Sequence, residues 1–74
     1  MRQHAVVTKR YTHEKLRQAR EERGVSKTFL AKQLGYTHAA GYYNIEIGRV
    51  KASLEHAKII SSILGVPDDE LFFA

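Results

Sequence analysis

The side chains best equipped to recognise a ligand lie close together in this 74-residue sequence: His38, Ala39, Ala40, Tyr43 and Asn44. A carboxamide such as Asn44 donates and accepts at once, the pattern that grips an adenine edge in the major groove. Ala methyls pack on thymine methyls, and a Tyr hydroxyl reaches a phosphate or a base edge. A solvated helix face uses the same residue types, so that plainer reading stands beside the first. Catalysis fits poorly. His38, Tyr36 and Glu46 can be drawn as an acid–base set, yet no nucleophile, metal-ligand cluster or phosphate-cradling glycine loop accompanies them. The chain is read as a non-enzyme with no cofactor. Cys is absent, so disulfides cannot staple the fold.

Helices must position these groups. The pattern predicts a first helix over 13–23, with Thr12 as N-cap, Leu16, Ala19 and the stem of Arg23 facing inward, and Gly24 just past its end. Ser26 is the N-cap of a second helix, Val25 its hydrophobic staple on Leu30, and Leu30, Ala31 and Leu34 its inward face before Gly35. Phe29 falls outside that stripe and either covers a neighbouring segment or docks a partner. A third helix runs over 39–47. Tyr42 and Ile45 face inward, small Ala39 and Gly41 let it approach the second helix, and His38, Ala40, Tyr43 and Asn44 face away. Ser53 caps a fourth helix over 54–64, with an inward stripe of Leu54, Ala57, Ile60, Ser61 and Leu64. Pro67, Asp68, Asp69 and Glu70 open a last short helix reaching Phe72. The fold class is all-α, with five short helices and no convincing strand.

A chain this short is one domain with a thin core, burying roughly 60% of its unfolded surface. No apolar run approaches the ~20 residues needed to span a bilayer, and a cytoplasmic protein without membrane contact is expected. Residues 1–35 hold nine Lys or Arg against three Glu, a net +6, while the remainder, three against five, carries −2. That asymmetry suits a polyanion on one side of the molecule. Residues 1–11 read as a flexible basic N-terminal arm, in which Arg2, Lys9 and Arg10 either touch phosphate or belong to a frayed terminus. Residues 12–74 form the helical domain.

Taken in order, L-R-x-x-R-x-x-x-G-V-S-K-x-x-L-A-x-x-L-G, G-Y-Y-N-I-E-x-G, S-L-E-x-A-x-x-I and L-G-V-x-x-D-E-L-F cover Leu16 to Phe72. This series resembles the XRE-type, lambda-repressor-like helix-turn-helix family. The resemblance implies a compact five-helix DNA-binding domain, with the second helix across the DNA backbone and the third in the major groove. Carried over by position, Lys27, Thr37, His38, Arg49 and Lys51 contact phosphate, and Ala39, Ala40, Tyr43 and Asn44 face the bases. Arg20 and Glu46 match a partly buried ion pair between the first and third helices. Gly35 and Glu46 are one residue further apart than is usual in the family.

The function implied is a transcriptional regulator, specifically a repressor, acting as a homodimer on a palindromic operator of double-stranded DNA, with half-sites about 34 Å apart. Ile59, Ile63, Phe72 and Phe73 are the candidate dimer surface; the alternative is that they cap a thin core. A regulatory protein partner is also compatible. The competing function is a protein-interaction module, such as an antirepressor or an antitoxin, whose main target is a protein.

Overall fold

The computed structural model describes residues 13–72. Five helices follow one another: α1 Glu14–Glu22, α2 Lys27–Gln33, α3 Ala39–Glu46, α4 Leu54–Leu64 and α5 Asp68–Phe72. There is no strand among the described residues. The arm, Thr12 and Phe73 lie outside them.

Local chemistry sets two of the helix starts. The Ser26 hydroxyl accepts from the Phe29 amide at 3.0 Å, and Ser53 accepts from the His56 amide at 3.1 Å. Each satisfies one of the backbone donors that a helix start leaves without a partner. At the far ends, Gly24, Gly35 and Gly65 follow α1, α2 and α4 with φ of +67°, +92° and +71°, where a Cβ would be strained. α1 and α3 begin differently. His13 and His38 occupy their N-cap positions, and neither side chain makes a capping bond.

α2 packs along α3, α1 against both α3 and α5, and α4 against α5. Leu16 and Ala19 of α1 share one buried cluster with Leu30 and Ala31 of the second helix, Leu34 at its C-cap, Tyr42 and Ile45 of the third, Ile60 and Leu64 of the fourth, and Leu71 of the last. Each fully buried Leu or Ile contributes about 1.5–3 kcal/mol by leaving water. Val25 lies half-buried against this cluster, where a staple belongs.

Two inward assignments are corrected. Arg23 is exposed, and the third buried position of α1 is Arg20 instead, because a carboxylate partner awaits it there. Leu54 is 69% exposed, so the stripe of α4 begins at Ala57. α1 and α3 are also shorter than the pattern predicts: Arg23 and Ile47 stand at their C-cap positions, outside the helices. Ser61 belongs to the inward face because its hydroxyl donates to the Val66 carbonyl at 2.7 Å, tying the end of α4 to the turn that follows. Ile59, Ile63 and Phe72 are half-buried and packed against the core.

Candidate nucleic-acid interface

A wedge holds the approach to α3. The Tyr36 amide donates to the Ala31 carbonyl at 2.9 Å, which turns the chain back over α2. The Tyr36 ring then lies against the backbone of Gly41: a Cβ at Gly41 would fall 2.3 Å from Tyr36 Cγ. On its other side the ring meets His56 of α4 edge-on, with centroids 5.6 Å apart. The small size of Gly41 therefore seats Tyr36, while α3 as a whole lies along α2. The sequence placed Tyr36 only in a poorly supported acid–base set with His38 and Glu46 and gave it no packing role. Its signal was the pairing of an aromatic in the turn with a glycine on the following helix.

The inner face of α3 is held from α1. Tyr42 and Ile45 are fully buried and Glu46 nearly so. Arg20 Nε donates to Glu46 Oε2 at 2.8 Å, and its Nη2 to Oε1 at 3.3 Å, a two-pronged grip on one carboxylate. Arg20 Nη1 also donates to the Val25 carbonyl at 3.2 Å, and the Tyr42 hydroxyl donates to Glu46 Oε2 at 3.2 Å. The backbone takes part as well, since the His13 amide donates to the Glu46 carbonyl at 3.0 Å. Hydrogen bonding to Glu46 pushes the Arg20 pKa above its ordinary value. Burial, with the adjacent Glu46 charge, raises that of the Tyr42 phenol, so both donors keep their protons. No polar side-chain atom buried among the described residues lacks a partner. Such a pair adds little net stability over an apolar substitute, yet breaking it strands a charge, so its main effect is to fix where α3 lies.

With that face fixed, the opposite one is presented outward. Thr37, His38, Ala40 and Tyr43 are exposed, and Ala39 and Asn44 are half-buried. The Asn44 carbonyl accepts from the Arg49 and Val50 amides at 2.9 and 3.1 Å, folding the following loop back beside the helix. Among the described residues the Asn44 carboxamide makes no side-chain hydrogen bond. Lys27, at the start of α2, stands with Nζ 4.8 Å from the Tyr43 ring centroid. An exposed cation–π contact of this kind is worth about 0.5–1 kcal/mol. It joins a residue expected on phosphate to one expected on bases. Arg49 and Lys51 are exposed in the loop after α3. The outcome is a helix face with small, aromatic and carboxamide groups, bordered by Lys27 on one element and by Arg49 and Lys51 on another.

A family model described as helix-turn-helix matches residues 16–71, most of the chain. The chain belongs to this helix-turn-helix family. It is of the XRE, lambda-repressor-like type, and α2, the Tyr36 turn and α3 form the motif itself. At the significance required, no curated protein and no solved structure matches. Family membership makes this helix-turn-helix chain a DNA-binding regulatory domain. No described helix is long and apolar enough to cross a membrane.

Proposed function

We propose that this helix-turn-helix chain is a sequence-specific repressor that binds a palindromic operator as a homodimer and acts in the cytoplasm, where it occludes a promoter. α3 lies in the major groove. Asn44 and Tyr43 read base edges, and the Ala39 and Ala40 methyls contact thymines. Lys27, Thr37, His38, Arg49 and Lys51 hold the phosphates and set the register. One observation carries this reading: the outer face of α3 is open between cations of two different elements, while its inner face is locked through Glu46 to α1. Preorganised in this way, the helix meets DNA without first paying to order itself. Selecting bound duplexes from a random pool tests it. A palindromic motif is expected; a pool that stays random after repeated selection overturns the reading.

The competing reading, a module directed at a protein, draws on Phe29, which is 47% exposed on α2. A stoichiometric protein complex with no preference among duplexes is the outcome that favours it.

A further inference from the structure

The recognition helix carries no cation, although cations border it. α3 reads AAGYYNIE, without Lys or Arg, and its one carboxylate, Glu46, faces inward, where Arg20 and the Tyr42 hydroxyl occupy it. Lys27, Arg49 and Lys51 all stand on other elements. Ala40 and Asn44 lie four residues apart, about one turn, and so share a line on the helix, opposite the buried Tyr42 and Ile45. Ala40 is exposed, Asn44 is half-buried, and Tyr43 beside them is 43% exposed.

The major groove makes that composition selective. Guanine shows two acceptors there, O6 and N7, which Arg or Lys grips most often, and cytosine shows a donor that a carboxylate takes. Neither kind of ionic reader stands on the outer face of α3. An adenine edge suits a carboxamide, and the thymine paired with it turns its C5-methyl into the same groove. We infer that α3 selects A·T pairs at the positions it covers, with Asn44 gripping adenine N6 and N7 and the Ala40 methyl packing on a thymine C5-methyl, so that the methyl itself is read. Any G·C preference of the operator then lies outside the reach of α3. The inference rests on the proposed docking of α3 in the major groove and adds the class of base pair selected there.

Base analogues in the selected duplex test it. Uracil lacks only the C5-methyl of thymine, and 7-deazaadenine lacks only the N7 acceptor of adenine. Replacing the contacted thymine by uracil should weaken wild-type binding about fourfold, the effect of one methyl left in water. Ala40→Gly should bind the two duplexes alike. Each ratio is taken within one protein, so the cost of a glycine to the helix cancels. Replacing the contacted adenine by 7-deazaadenine should weaken wild type about tenfold and leave Asn44→Ala indifferent. Half-sites whose fixed positions under α3 are G·C pairs overturn the inference, and so does wild-type binding that tolerates uracil at every thymine. An Ala40→Gly variant that still prefers thymine overturns it too, by moving the methyl contact off Ala40. In each of these three outcomes a selected palindrome survives, and the repressor reading with it. A pool that stays random removes both.

Discussion

α2 and α4 differ from α1 and α3 in what defines their beginnings. The first pair starts on serine hydroxyls, Ser26 and Ser53, each bonded to an amide three residues on. The second pair starts on His13 and His38, with no side-chain cap. α1 and α3 are instead tied to each other at a distance, because Glu46 at the end of α3 takes the Arg20 guanidinium on its side chain and the His13 amide on its carbonyl. The helices with local starts are scaffold. The position of α3 is conditional on a long-range contact, and so the direction in which Tyr43 and Asn44 point depends on Glu46.

The largest effect should come from breaking that contact. Glu46→Ala leaves Arg20 buried without its carboxylate and should cost about 3–5 kcal/mol in urea unfolding, a large share of the roughly 5–15 kcal/mol typical of a domain. Replacing both partners, as in Arg20→Met with Glu46→Leu, should recover most of the loss. A single-variant cost below about 1 kcal/mol, the range of surface pairs, would erase the contrast between the two helix pairs.

Gly41→Ala comes next. The new methyl collides with the Tyr36 ring and should cost about 1–3 kcal/mol as overpacking. Adding Tyr36→Ala should remove part of that cost, and strict additivity of the two changes in a thermal-melt cycle would show that the wedge is absent. Ser26→Ala and Ser53→Ala should each cost about 1 kcal/mol. Because the two caps share no partner, their costs should add; strong coupling between them would mean that the starts of α2 and α4 are not local.

The smallest effect concerns the other kind of helix start. Burial lowers the His13 pKa below its ordinary 6.5, which favours the neutral ring in the folded chain. The unfolded chain then binds more protons in acid, so the contribution of His13 is complete above 6.5 and is lost as the pH falls through the lower folded value. Melting temperatures followed between neutral and acid pH should fall more for wild type than for His13→Phe. Parallel curves would show that the ring is not desolvated.

The same contrast explains what could be read from the residues. α2 and α4 were legible nearly to the residue, because a serine cap, an apolar stripe and a terminal glycine are local signals. The Arg20–Glu46 pairing is not local, joining residues 26 apart, and it came through resemblance to a family rather than from any pattern in the chain. Tyr36 was missed because its role exists only once α3 and α4 have been brought together around it. Leu54 was misplaced by a stripe that holds from Ala57 onward, since periodicity gives the facing of a helix but not where its neighbours end. For the outer face of α3, types and spacing showed which side chains point outward. The 4.8 Å approach of Lys27 to Tyr43 links two helices, and only the fold could reveal it.

The outward face of α3 is proposed to read bases while its flanking cations hold phosphate. The most direct measurement compares affinity for the selected duplex and for a scrambled one, across a range of salt, for wild type, Asn44→Ala and Lys27→Ala. Asn44→Ala should lose about 1–3 kcal/mol of the preference for the selected duplex while keeping its salt slope. Lys27→Ala should weaken both duplexes alike and flatten the slope. An Asn44→Ala variant with undiminished preference, together with a Lys27→Ala variant of unchanged slope, would show that this face neither reads bases nor is flanked by phosphate contacts.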